Sequence, residues 1–379
     1  MDRERKAQLA QVAALRGRAV IVMASDMRKG NNAPISISYE DILPFTDLLE
    51  GLGGAAVDVI LETPGGSAEV AEDLVRGLRE RFETVSFIIP GWAKSAGTIM
   101  AMAGDEILMG PSSAVGPIDA QIQWRDKVFS AEAFLEGLSD MKREAADPAI
   151  GLNRAHIPIL QQISPGEIQH AKNALDFARR LVADWLERYK FRAWLTHRRS
   201  GLPVSDEERR ETAERIAAEL CRHQRWLTHG RSIRISDLRE LGLEVTDYGE
   251  MPDLADAIRR YYTLLQMTFE SNIYKLFETP VGLVVRFINV APVASPVARE
   301  QVRRHLADAQ TVDADVECPL CHQPIPLQLN LAEGVPSNPG RIPYPKGDAL
   351  ACPHCSRQVN LASARREMER QLGHEVVPS

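Results

Sequence analysis

The sequence predicts a mixed α/β protein: a mostly parallel sheet with crossover helices, followed by a small C-terminal module stapled by cysteines. Two observations carry this. Apolar strand-like runs alternate with helical periodicity along the first part of the chain, the pattern of successive βαβ units. Two Cys-x-x-Cys pairs stand near the C-terminus, the pattern of a four-thiolate site. A length of 379 residues accommodates one large domain and a small one.

The elements follow in order. MDRERKAQLAQVAALRGR reads as a short polar helix over 1–17. RAVIVMAS, with its unbroken apolar centre, reads as a buried strand, and the polar MRKGNNAPISIS as a loop. YEDILPFTDLLEGLG reads as a helix ending at glycine. AAVDVILETPGG is a strand running into a Pro-Gly-Gly loop. In SAEVAEDLVRGLRERF, Val70, Leu74 and Leu78 fall on one helical face. TVSFIIP is the next strand and SAGTIMAMAG the next helix, and DEILMGPSSAVGPIDAQI supplies a short strand and a loop. Residues 130–275 read as largely helical, including DLADAIRRYYTLLQMTFESNIYKLF. PVGLVVRFINV is a late strand, and 291–311, rich in Pro and Ala, reads as a linker. The expected organisation is a polar helix over 1–17, a main domain over 18–290, the linker, and a module over 312–379.

Composition excludes some classes. Hydrophobic content of 44% with 26% charged residues is that of a globular chain. A net charge of −7 argues against a general nucleic-acid-binding surface. No apolar run approaches the roughly 18 residues that span a bilayer. The charged N-terminus lacks the apolar core of a signal peptide. A cytoplasmic protein without a membrane partner is the expectation.

In open parallel sheets, ligands bind outside the carboxyl ends of strands. Pro64-Gly65-Gly66 and Ala93-Lys94-Ser95-Ala96-Gly97 both sit where a strand gives way to a helix. A serine hydroxyl attacks a carbonyl once a base takes its proton. The resulting oxyanion needs donors. The N–H of Ala96 is one, and a glycine loop such as Gly65-Gly66 lets a second backbone N–H come close. A serine that merely caps a helix gives the same local pattern. The first glycine of the usual nucleophile elbow is also missing, since Ala93 stands there.

The blocks LETPGGSAEVAEDL and IIPGWAKSAGTIMAMAGDEILMGPSSAVGPIDAQI, with the later WLTHGRSIRISDLRELGLEV, resemble the serine dehydrogenase proteinase family. These are Clp-fold serine peptidases, related to signal peptide peptidase A and the Clp protease catalytic subunit. The resemblance implies a ClpP/crotonase-like β-α spiral with helical additions, peptide or protein substrates and a homo-oligomer. It implies Ser95 as nucleophile, and Gly66 with Ala96 as the oxyanion hole, with Gly65 supporting the turn. The Clp subunit's histidine, some two dozen residues after the serine, has no counterpart here. AVGPIDAQI offers Asp119 and Gln121 instead, as residues lining a substrate groove.

The signal peptide peptidase A branch uses a Ser-Lys dyad instead, so the resemblance implies a desolvated lysine that is neutral enough to act as base. Lys94 adjoins Ser95, but consecutive residues at a helix start point apart. Lys127 lies in the polar run QWRDK. Lys172 falls about 40° from Ile168 and about 60° from Leu175 on a helical wheel, at the margin of the apolar stripe. It leads the candidates, followed by Lys142, with His170 and His156 as minor ones. The leading expectation is a serine endopeptidase. A crotonase-type acyl-CoA enzyme and a catalytically inactive oligomeric scaffold share the same motifs.

Cys318, Cys321, Cys352 and Cys355 form C-x2-C knuckles, each before a strand-like segment, which resembles a zinc ribbon. Four thiolates close the tetrahedron, so the expected zinc is structural. His322 and His354 read as bystanders. The ribbon is also a candidate site for recruiting a partner.

Overall fold

The computed structural model describes residues 1–124, 127–197, 200–288, 310–372 and 375–378. The chain divides into two compact units, Met1–Asn289 and Val290–Ser379. The linker expected over 291–311 lies outside the described residues apart from its last two.

The first unit opens with α1 (Asp2–Arg16), which is not polar all round: Leu9 and Val12 are wholly buried. So is Arg5, whose guanidinium donates to both Glu278 oxygens, at 2.7 and 2.9 Å. Removing one partner of such a buried pair costs about 3–5 kcal/mol, because the other is left charged and alone. The helix is thus built into the unit.

β1 (Ala19–Ser25), α2 (Ile42–Glu50), β2 (Ala56–Glu62), α3 (Ala68–Arg81) and β3 (Thr84–Ile89) follow. Next come the two-residue β4 (Trp92–Ala93), α4 (Ala96–Met102), β5 (Glu106–Met109) and the two-residue β6 (Ala114–Val115). A hairpin, β7 (Gln121–Trp124) and β8 (Lys127–Ser130), leads to α5 (Ala131–Ala146), α6 (Ile157–Leu160) and α7 (Pro165–Trp185). Then come α8 (Asp206–Cys221), α9 (His223–Trp226), α10 (Ile235–Glu240), β9 (Thr246–Asp247) and α11 (Pro252–Phe269). The unit ends with β10 (Ile273–Glu278) and β11 (Leu283–Phe287).

The main sheet runs β11-β10-β1-β2-β3-β5-β9. The strands from β1 to β9 are parallel, and β10 and β11 close the other edge antiparallel. The helix expected to run through Phe277 stops at Phe269. Tyr274, Leu276 and Phe277 are instead core-facing residues of β10. Successive side chains of a strand face opposite sides. Accordingly Ile21 and Met23 join α2, α3, α4, α7, α8 and α10 in one apolar layer. Val20, Val22 and Ala24 join α1 and α11 in the other.

A second, narrower ribbon of β pairing positions the site. Thr63, Ala93 and Val115 each follow the carboxyl end of a sheet strand. They bridge in series, Thr63 to Ala93, Ala93 to Val115, and Val115 to Ile233. Its backbone bonds are short: Lys94 N to Thr63 O at 3.0 Å, and Val115 and Ile233 exchanging bonds at 2.9 and 3.0 Å. Each turn of the strand-helix winding therefore delivers one short segment to a common line.

In the second unit, β12 (Thr311–Glu317), β13 (Pro324–Asn330) and β14 (Ile342–Pro343) form one sheet. β15 (Ala349–Ala351) pairs with β16 (Gln358–Asn360), and α12 (Ala362–Leu372) follows. Among the described residues, no helix in either unit is long and apolar enough to cross a membrane.

Candidate active site

The ribbon carries Ser95 two residues beyond Ala93, at the first turn of α4. Ser95 has φ 51° and ψ −117°. This left-handed region is costly for a residue with a Cβ, on the order of 1–3 kcal/mol, and such strain concentrates at functional sites. Its hydroxyl does not cap α4 and has no hydrogen-bond partner among the described residues. Glycine makes room for the turn. A Cβ on Gly65 would stand 2.6 Å from Ser95 Cβ, and one on Gly66 would stand 2.3 Å from Ile37 O. Both glycines have positive φ, 100° and 148°. Ile37 pairs with this loop, its N–H donating to Gly65 O and its carbonyl accepting from Ser67 N. The N–H groups of Gly66 and Ala96 have no partner among the described residues.

Ser95, Ala96, Gly65 and Gly66 line one cleft of about 400 Å³. Asp119, Gln121, His170 and His229 line it too. Ile99, Ile118, Ala174, Phe177 and Ala178 supply an apolar wall.

Asp119 is the electrostatic centre of this cleft. Its side chain is buried, four residues past Val115 of the ribbon. His229 Nδ1 donates to Oδ1 at 2.7 Å, His223 Nδ1 to Oδ2 at 3.1 Å, and Gln121 Nε2 to Oδ2 at 2.9 Å. Burial pushes the Asp119 carboxyl up, but the hydrogen bonds and charges of the two imidazoles outweigh it and hold it below its ordinary value. An ionised carboxylate only accepts, so Nδ1 of His229 carries the proton and, in the neutral ring, Nε2 keeps its lone pair.

The lysines lie elsewhere. Lys172 is exposed, because α7 buries Ala171, Ala178, Val182 and Trp185, and turns Ala174 and Phe177 to the cleft. The partial burial expected from the helical wheel is corrected accordingly. Lys142 and Lys127 are also exposed, and none of the three lines the cleft. His156 contacts Glu144 at 3.3 Å and does not line the cleft. Lys94 is buried, but its Nζ bonds Val115 O, Arg231 O and Ser232 Oγ and not Ser95. Cys221 is no competing nucleophile: burial pushes its thiol up to about 12.

Sequence reasoning did not nominate His229 or His223. The only local signal for His229 was its place in WLTHGRSIRIS, four residues before the ribbon residue Ile233.

Similarity to known proteins falls on the same segments. Residues 52–149 match the ClpP-like SDH-type serine proteinase family. The resemblance carried by ETPGGS and SAGT is shown by that match, and the SDH-type segment holds Gly65, Gly66, Ser95, Ala96 and Asp119. His229 lies beyond it. The uncharacterized protein MJ1495 of Methanocaldococcus jannaschii is 28% identical over 211 residues, 56% of each chain. A second uncharacterized protein of that organism, MJ0137, is 26% identical over 189 residues, 50% of this chain and 53% of its own. The chain thus spans about half the length of the curated relatives it matches. Among solved structures, ClpP1 from Listeria monocytogenes is similar at 13% identity, covering 60% of this chain and 91% of its own, with a TM-score of 0.32. The membrane-bound stomatin-specific protease 1510-N is similar at 19%, covering 30% and 61%, with a TM-score of 0.22.

The second unit holds a separate centre. Cys318 and Cys321 turn between β12 and β13, and Cys352 and Cys355 between β15 and β16. The two turns are alike. His322 N donates to Cys318 O and Ser356 N to Cys352 O, both at 2.9 Å, and His322 and Ser356 have φ of 58° and 59°. The four Sγ atoms lie within 4.8 Å of one another, with the 318–355 and 321–352 pairs at 3.9 and 3.8 Å. A disulfide would require about 2.05 Å. Thiolates at the vertices of a zinc tetrahedron stand about 3.8 Å apart, given a Zn–S bond of about 2.3 Å. The donors therefore fit a divalent metal. His322 bonds Glu317 and His354 bonds Pro324 O, so both are engaged elsewhere.

One buried acid underlies the serine turn. Glu62, 1% exposed at the end of β2, accepts from Trp92 N at 2.8 Å and Tyr262 OH at 3.1 Å, with no cation bonded to it among the described residues. Burial pushes its carboxyl up to about 7, against the pull of its neutral donors. Between pH about 4.5 and 7 the folded protein then binds more protons here than the unfolded chain, so stability falls as pH rises. The loss from this group is on the order of 3 kcal/mol. Denaturant unfolding of Glu62→Gln across this window is expected to show a flatter stability curve than the wild type. Parallel curves would contradict the assignment.

Proposed function

We propose that the chain is a serine endopeptidase whose nucleophile is Ser95 and whose base is His229, oriented by Asp119. The observation that carries this reading is the Asp119–His229 bond in the cleft where the strained Ser95 stands beside two unpartnered backbone N–H groups. In this reading Ser95 Oγ attacks a peptide carbonyl while His229 Nε2 takes its proton. The contact is not closed in the free protein, and such contacts commonly tighten with substrate. The oxyanion is held by the N–H groups of Gly66 and Ala96. The C–N bond then breaks as His229 returns the proton to the leaving amine. Water attacks the acyl-enzyme by the same path. Asp119 holds the tautomer and stabilises the imidazolium without taking the proton. The exposure of Lys172 and Lys142 argues against the Ser-Lys dyad expected from the sequence.

With peptide substrates, Ser95→Ala is expected to abolish cleavage while leaving the fold intact. His229→Ala should lower kcat by about 10²–10⁴, and Asp119→Asn by roughly 10³–10⁴ by presenting the wrong tautomer. Full activity in His229→Ala would return the base to a lysine. The apolar wall suits an apolar side chain on the acyl side of the bond. A peptide library should show that position apolar, with acidic residues there cleaved about tenfold more slowly or worse. A preference for charge would refute that assignment.

The four cysteines would hold a structural zinc ion, closing its coordination and supplying much of the folding energy of so small a unit. Metal analysis is expected to find about one zinc per chain, lost in Cys318→Ser together with the fold of residues 310–378. A variant that stays folded and metal-free would remove zinc from the account.

A further inference from the structure

Lys94 is a buried cation beside the cleft. It is 8% exposed, and its ammonium bonds no carboxylate among the described residues. Its three N–H donors go to Val115 O at 3.0 Å, Arg231 O at 3.0 Å and Ser232 Oγ at 3.1 Å. Burial, aided by the charge of Arg234, pulls it down to about 8. An apolar side chain of similar length would avoid that cost. The space is also reserved: a Cβ on Gly116 would stand 2.8 Å from Lys94 Cδ.

The three acceptors define what the ammonium joins. Lys94 precedes Ser95, and Arg231 and Ser232 follow His229 by two and three residues. Val115 leads to Asp119 and pairs with Ile233. Backbone pairing fixes Ile233 on the ribbon, but from His229 to Ser232 no backbone hydrogen bond reaches the ribbon among the described residues, and the Lys94 ammonium supplies the bonds there. We infer that Lys94 is a positioning residue, a clamp that holds the 229–233 segment against the serine turn and so sets His229 beside Ser95. This rests on His229 being the base. A displacement of about 1 Å in such a group can cost about a hundredfold in rate.

The test is the saturation kinetics of fluorophosphonate labelling on the full-length chain, comparing Lys94→Met, His229→Ala and the double variant. The clamp predicts that Lys94→Met lowers the maximal labelling rate about tenfold or more, with the half-saturating concentration within about twofold. In the His229→Ala background the same substitution should change the rate by less than about twofold, since the group it positions is gone. A merely structural role would slow both backgrounds equally. That result, or an unaffected Lys94→Met beside a slow His229→Ala, overturns the clamp and leaves the triad standing. Labelling of His229→Ala at the wild-type rate overturns the triad and the clamp together. Ser232→Ala guards against a misfolded Lys94→Met. It removes one acceptor and should slow labelling about threefold only when His229 is present; an equal slowing in both backgrounds also overturns the clamp.

Discussion

The rest of the site depends on the ribbon that joins Thr63, Ala93, Val115 and Ile233. A parallel sheet aligns the carboxyl ends of its strands but leaves each following loop free. The ribbon removes that freedom by hydrogen-bonding the loops to one another just beyond the sheet. Gly65 is then two residues past one member, Ser95 two past the next, Asp119 four past the third and His229 four before the last. Residues spread over four segments are held within one cleft by a few backbone bonds, which are worth little singly but costly to leave unmade once buried.

The same ribbon accounts for the small residues and the strain. Gly97 packs so closely that a Cβ would stand 2.4 Å from Thr63 Cγ2, so α4 can start directly at the ribbon. The Thr98 hydroxyl, between Ala93 O and Gly116 O, also accepts from Gly116 N at 2.9 Å, tying α4 to the third segment. Against this rigid frame the unfavourable φ of Ser95 is sustained, and its hydroxyl is directed into the cleft instead of onto the helix end. Buried Glu62 and buried Lys94 both sit at this frame, and among the described residues neither bonds an opposite charge.

What the sequence made legible was local. Pro-Gly-Gly and the serine turn declare themselves within a few residues, because glycine and a helix start have short-range signatures. Cys318 to Cys355 are legible for the same reason, since ligand spacing reflects the turn that presents the thiolates. The parallel sheet follows from alternation along the chain. The place of His229 in the cleft was not legible. His229 lies 110 residues from Asp119, and nothing between them encodes that the winding returns to the ribbon. The exposure of Lys172 was not legible either, because the wheel misjudges the width of the helical stripe. A wheel places Lys172 near Ile168 and Leu175, but the packed side of α7 runs through Ala171 and Ala178, and small residues give a weak periodic signal. β10 was read as helix because its apolar residues continue the spacing of α11.

The structure of a phosphonate adduct on Ser95 would test the proposed geometry. The phosphoryl oxygen is expected about 2.7–3.1 Å from the N–H groups of both Gly66 and Ala96. Nε2 of His229 is expected within about 3.2 Å of Ser95 Oγ, with its Nδ1 still on Asp119. An adduct whose oxygen faces away from both N–H groups, or whose Oγ is approached by a lysine amine instead of His229, would contradict it.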